Sequence, residues 1–134
     1  IARAAAPDLG VCLDTAHAFA AGYDLRVPEG LTDLLRRLDA ACGPAALRLV
    51  HANDSLGALA SHRDRHWHIG QGEIGPRGWR TIMSHPRLVD LPFIMETPKL
   101  PETALADDRR NLRALRRYIP ADRRPPLPVR PRLR

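Results

Sequence analysis

Six residues of this 134-residue sequence carry side chains of the types that ligate metal ions: Asp14, His17, His51, Asp64, His66 and Glu96. All offer a carboxylate oxygen or an imidazole nitrogen, and none a thiolate. That donor mixture suits Zn²⁺ or Mn²⁺ in a carboxylate-rich catalytic site better than a structural zinc, which ordinarily takes cysteine. Their placement sharpens the reading. Asp14 follows the apolar run Gly10-Val11-Cys12-Leu13, His51 follows Leu47-Arg48-Leu49-Val50, and Glu96 follows Pro92-Phe93-Ile94-Met95. His17 stands three residues beyond Asp14, and Asp64-Arg65-His66 is a compact polar triplet. Each also has a plainer use: Asp14 as a helix N-cap, His51 as a hydrogen-bonded structural histidine, the triplet as a solvated loop with a local ion pair. The coincidence of three run ends and two short motifs in one chain favours a shared site.

The elements that must position these residues follow from periodicity. The three apolar runs have the length and boundaries of buried strands. Leu31, Leu34, Leu35 and Leu38 recur at helical spacing, with Gly43 as a stop. A polar stretch runs from Ala52 to Gly78, and a short helix is expected from Trp79 to His85, closed by Pro86. The spacing of Leu105, Leu112, Leu115 and Ile119 predicts a helix over Glu102 to Ile119, with leucines inward and arginines outward. Strands separated by helices imply parallel pairing through right-handed crossovers, hence an α/β fold. In such folds the ligand and catalytic groups sit at the carboxyl ends of the strands, where Asp14, His51 and Glu96 fall. Cys12 is expected in the core and Cys42 inside a helix end. Trp67, Trp79, Phe93 and Phe19 read as packing residues. His62 and His68 flank the triplet as outer partners or as exposed loop positions.

Composition sets the frame. With 44% hydrophobic and 27% charged residues the chain has a globular composition, and its length fits one ordinary domain. No apolar stretch approaches the ~20 residues of a spanning helix, so no membrane partner is expected. No signal peptide is visible after Ile1. The net charge of +6 points to an anionic partner only if it lies on a folded surface. Arg123, Arg124, Arg130, Arg132 and Arg134 against Asp122 place four of those six charges beyond Pro120. Residues 1–119 are therefore expected to form the domain and 120–134 a flexible Pro/Arg-rich tail. Lys99 is the lone lysine, so the arginine richness reads as compositional bias. Cys12 and Cys42 form no C-x-x-C pair, which fits free thiols in a reducing, cytoplasmic setting.

Four segments resemble the endonuclease IV family of apurinic/apyrimidinic (AP) endonucleases: Gly10 to Asp24, with Asp14-Thr15-Ala16-His17 at its centre; His51-Ala52-Asn53-Asp54-Ser55; Asp64-Arg65-His66-Trp67-His68-Ile69-Gly70-Gln71-Gly72-Glu73-Ile74-Gly75; and Pro92-Phe93-Ile94-Met95-Glu96-Thr97-Pro98. They occur in the family's order over about Leu9 to Tyr118. The resemblance implies a TIM (β/α)₈ barrel, of which this chain supplies about three βα units resembling the last three of eight. It implies a hydrolase of base excision repair that cleaves the phosphodiester 5′ to abasic sites in double-stranded DNA. The complete family site holds up to three Zn²⁺, and the complete protein is expected to be a monomer. By position, Asp14, His51 and Glu96 resemble the ligands of one metal, with Asp14 and Glu96 catalytic through it. His17, Asp64 and His66 resemble the ligands of another, and Arg65 a weak DNA contact. Two further histidines and a bridging glutamate of the family have no counterpart here, so the isolated chain is expected to be inactive. Leu56 stands where family members often carry lysine, and Ala16 replaces a common cysteine. The alternatives are a degenerate zinc-binding remnant, its arginine-rich tail giving weak, salt-sensitive nucleic-acid binding, and a barrel of the sugar isomerase/epimerase type. The latter shares the fold and ligand types but is not expected to carry all four segments.

Overall fold

The apolar runs pair as parallel strands in a computed structural model that describes residues 9–124. β1 (Val11–Asp14), β2 (Leu47–His51) and β5 (Phe93–Ile94) form one sheet in the order β1-β2-β5. The register places Asp14 beside His51 and His51 beside Ile94. Partners in register share a face, so Asp14, His51 and Ile94 lie on one side of the sheet, and Leu13, Val50 and Phe93 on the other. The second side carries the core. The fold is α/β, with three parallel strands and no closed barrel among the described residues.

Two helices lie between β1 and β2. α1 (Thr15–Ala20) starts directly on β1, and Asp14 caps it by accepting the His17 N–H at 3.0 Å. α2 (Pro28–Cys42) has proline in its first turn and stops at Gly43, whose φ of 96° lies in the left-handed region that favours glycine. Leu31, Leu34 and Leu35 of α2 are buried with Phe19, Leu25, Val50, Ile74, Trp79, Ile82 and Leu88 in a continuous core. Complete burial of each of these side chains contributes about 1.5–3 kcal/mol against exposure.

The stretch after β2 is more ordered than its polarity suggests. β3 (Asp54–Ser55) and β4 (His66–Trp67) pair antiparallel, and α3 (Gly75–Ser84) begins four residues before Trp79. The glycine-rich segment ahead of α3 is organised by Asp54, which is 0% exposed. Its carboxylate accepts the N–H groups of Ser55, Gly70, Ile74 and Gly75 and the Trp79 indole N–H, at 2.8 to 3.3 Å. These donors are the orphan amides of a loop and a helix start, and one buried anion satisfies them together.

The last helix, α4 (Ala104–Tyr118), has its expected extent but a different buried face. Leu105 and Leu112 are 64% and 50% exposed, whereas Asp107, Asn111 and Leu115 are buried. Polar bonds account for the rotation. Asn111 accepts the Ile69 N–H at 3.0 Å and donates to Thr97 Oγ1 at 3.0 Å, while Asp107 takes a 2.6 Å bond from Thr103 and a 2.8 Å contact from Arg110. Cys12 also departs from expectation. It is exposed on the sheet face opposite the core, and Ile94 on that face is 49% exposed. Alternation along the strand places both there, since Leu13 takes the core side. Cys42 is half-buried, as are Trp67 and Phe93. Of the expected tail, Ala121–Arg123 form one 3₁₀ turn, and residues 125–134 lie outside the described residues.

Candidate metal centre

The six ligand-type residues meet at the carboxyl end of the sheet. Asp14 and His51 end neighbouring strands, and Glu96 lies two residues past β5 on the same face. His17 enters from the first turn of α1, and Asp64 and His66 from the approach to β4 and its first residue.

They form two adjoining groups. In one, Glu96 Oε2 lies 3.0 Å and Asp14 Oδ2 3.7 Å from His51 Nδ1. In the other, His17 Nε2 and Asp64 Oδ1 are 3.0 Å apart, His66 Nε2 and Asp64 Oδ1 3.4 Å, and the two Nε2 atoms 3.3 Å. Two donors on a tetrahedral ion with bonds of about 2.0–2.1 Å stand about 3.3 Å apart. The His17, His66 and Asp64 atoms thus have the size of one face of a zinc tetrahedron, so the residues present fit the ion. Asp14 reaches both groups, since its Oδ2 is also 3.6 Å from His66 Nε2, and the combinations able to hold a metal ion include Asp14 with His17 and His66 as well as Asp14 with His51 and Glu96. The alternatives for Asp14 are not exclusive: one oxygen caps α1 while the other faces the histidines.

Hydrogen bonds fix which imidazole nitrogen is available. His66 Nδ1 faces the Glu96 carbonyl oxygen at 3.2 Å. A carbonyl can only accept, so Nδ1 carries the proton and a neutral His66 keeps its Nε2 lone pair for a ligand role. The field is of the sign that attracts a cation. Partial desolvation raises the pKa of the exposed Cys12 thiol, a hydrogen bond to the His51 backbone opposes it, and the Asp14 and Glu96 charges add a smaller upward push. Asp64 pairs with His17 rather than with its neighbour Arg65, which is exposed. His62 is exposed at a φ of 54°, and His68 lies within 3.1 Å of both Asn111 and Arg110, away from the ligand atoms. Burial and the Arg110 charge lower the His68 pKa.

Sequence reasoning passed over Asn53 and Thr15. Asn53 donates from Nδ2 to Asp14 Oδ2 at 2.9 Å, and its backbone N–H donates to Thr15 Oγ1 at 3.0 Å. The available signal was the pair of small polar residues, one directly after each of Asp14 and the His51 turn, at positions that burial would otherwise penalise.

Parallel strands with ligand-type residues gathered at their carboxyl ends are the arrangement of α/β proteins, TIM barrels among them. The chain belongs to the xylose isomerase-like TIM barrel family, whose pattern matches residues 1–117. Within it, the chain is similar to proteins called probable endonuclease 4. One from Halothermothrix orenii is 57% identical over 91 residues, which are 68% of this chain and 33% of that protein. Another from Methanosphaerula palustris is 50% identical over 112 residues, 83% of this chain and 38% of the relative. The crystal structure of endonuclease IV from Thermus thermophilus superposes with a TM-score of 0.66 at 46% identity, over 82% of this chain and 38% of that one. The chain thus spans little more than a third of these relatives, and the resemblance seen in its four segments holds across most of its own length.

Proposed function

We propose that this chain is the C-terminal part of a zinc-dependent AP endonuclease that hydrolyses the phosphodiester 5′ to abasic sites in double-stranded DNA during base excision repair. The observation that carries the reading is the donor triangle of His17, Asp64 and His66 beside Asp14, His51 and Glu96, in a chain whose relatives are called endonuclease 4. His17, Asp64 and His66 hold one ion, and Asp14, His51 and Glu96 contribute to a second; Zn²⁺ is the first choice and Mn²⁺ the other. Such ions, when bound, supply hydroxide near neutral pH and stabilise charge on phosphate oxygens. The protein's own part is placement. Asp14 and Glu96 set the negative field, His66 keeps Nε2 free through its bond to the Glu96 carbonyl, and Arg65, which is exposed, makes a weak contact to DNA phosphate. Residues 1–119 serve as the barrel portion and 120–134 as an appended tail.

A sheet of three parallel strands with no closed barrel among the described residues, in a chain that spans little more than a third of its relatives and lacks counterparts of two family histidines and a glutamate, favours a second statement: the 134-residue chain alone does not incise DNA. Purified chain is expected to leave an abasic-site duplex intact. Placed in the corresponding segment of the Thermus thermophilus protein, the chain is expected to support EDTA-sensitive incision that a His17→Ala, His66→Ala pair abolishes. Incision by the isolated chain would overturn its inactivity. A folded, zinc-loaded chimera without incision would favour the reading as a zinc-binding remnant.

A further inference from the structure

Asn53 is 0% exposed, and every polar atom it has is engaged at the candidate centre. Its Oδ1 accepts the Glu96 N–H at 2.8 Å, which fixes the carboxamide orientation because that partner can only donate. Nδ2 must then face Asp14, to whose Oδ2 it donates at 2.9 Å. Thr15, itself buried, locks the backbone from the other side: its hydroxyl accepts the Asn53 N–H at 3.0 Å and donates to the Asn53 carbonyl at 2.6 Å. One side chain therefore ties the end of β1 to the segment after β5 across the strand that lies between them.

The reach extends further. The other Asp14 oxygen is held by the His17 N–H, so Asn53 and His17 together fix the carboxylate plane. Glu96, held at its N–H by Asn53, holds His66 Nδ1 through its carbonyl. A displacement of Asn53 is thus transmitted to a ligand-type atom in each group.

We propose that Asn53 is the positioning residue of this centre, a buried donor-acceptor strut that sets the Asp14 carboxylate against Glu96 and, through the Glu96 backbone, against His66. The inference rests on the metal-site reading above. Outer hydrogen-bond partners of this kind are ordinarily worth about 10–100-fold in metal affinity.

The test uses the full 134-residue chain, Co²⁺ as the probe, and Asn53→Asp. This substitution keeps the shape and the acceptor for Glu96 but sets an oxygen against Asp14 Oδ2. Cobalt affinity, read from the visible absorption of the bound ion, is expected to fall about 10–100-fold with an altered spectrum, while far-ultraviolet circular dichroism stays unchanged. Equal or tighter binding by N53D, with the wild-type spectrum, would overturn the role. Absence of cobalt binding in the wild type would overturn the metal-site reading, and this inference with it. Should N53D fail to fold, nuclear magnetic resonance of the wild type decides. Zinc is expected to shift the Asn53 carboxamide signals together with those of the His51 ring, and a carboxamide unmoved while the ring responds would overturn the proposal.

Discussion

His17 and His66 bring their Nε2 atoms to 3.3 Å, with the rings tilted by 44°. With His66 Nδ1 committed to the Glu96 carbonyl, its Nε2 faces His17 Nε2 as an acceptor, so the short approach is met by the His17 tautomer that donates from Nε2 or by a cation between the two. Asp64 Oδ1, 3.0 and 3.4 Å from the two nitrogens, completes a set of three donor atoms around that point. A His17→Ala, His66→Ala chain is expected to lose the ion of this group on dialysis while retaining the one near His51, as measured by elemental analysis. Unchanged metal content would remove the assignment.

Asp54 is a second, purely structural centre. Asp54→Ala leaves the Ser55, Gly70, Ile74 and Gly75 amides and the Trp79 indole without their acceptor inside the protein. The expected loss is about 3–5 kcal/mol in urea unfolding, near the upper end of single-residue effects. Asp54→Asn, which replaces an acceptor oxygen by a donor, is expected to lie between the two.

The rotated face of α4 is testable by contrast. Leu115→Ala is expected to cost about 2–3 kcal/mol through lost burial, and Leu112→Ser no more than about 0.5 kcal/mol. Equal losses at the two positions would restore the leucine stripe as the inward face.

Burial, with a smaller contribution from Arg87, holds the His85 pKa below its ordinary value near 6.5. Its folded form therefore favours the neutral ring. The resulting stability is complete above the unfolded value and is lost as pH falls below it, because the unfolded chain takes up the proton first. Between pH 7 and 5, wild type is expected to lose more stability than His85→Asn, which retains an acceptor for the Arg87 N–H that His85 Nδ1 now accepts at 3.3 Å. Parallel pH profiles in denaturant titrations would remove His85 from the balance.

Strand positions were legible because apolar runs ending at Asp14, His51 and Glu96 are a local pattern, and the stop of α2 because glycine at 43 marks it. The buried face of α4 was not. Periodicity ranks residues by hydrophobicity, so it selects Leu105 and Leu112 over Asn111, whereas bonds to Ile69 and Thr97 decide the rotation, and those partners lie 42 and 14 residues away. Cys12 was misplaced for a related reason. A four-residue run carries no sign of which face is covered, and only the register with β2 shows Leu13 facing the core. At the centre, the ligand-type residues could be named from type and spacing, but the sharing of Asp14 between groups and the role of Asn53 depend on distances across strands.

Among the described residues the sheet's two outer strands, β1 and β5, are different edges of the same polarity. A second copy joining β5 to its own β1 in parallel would make a head-to-tail contact that uses unlike surfaces and leaves the same two edges exposed at the ends. Association by this route is therefore heterologous: it closes into a ring or grows as a filament according to the rotation per copy, and does not give a two-fold dimer.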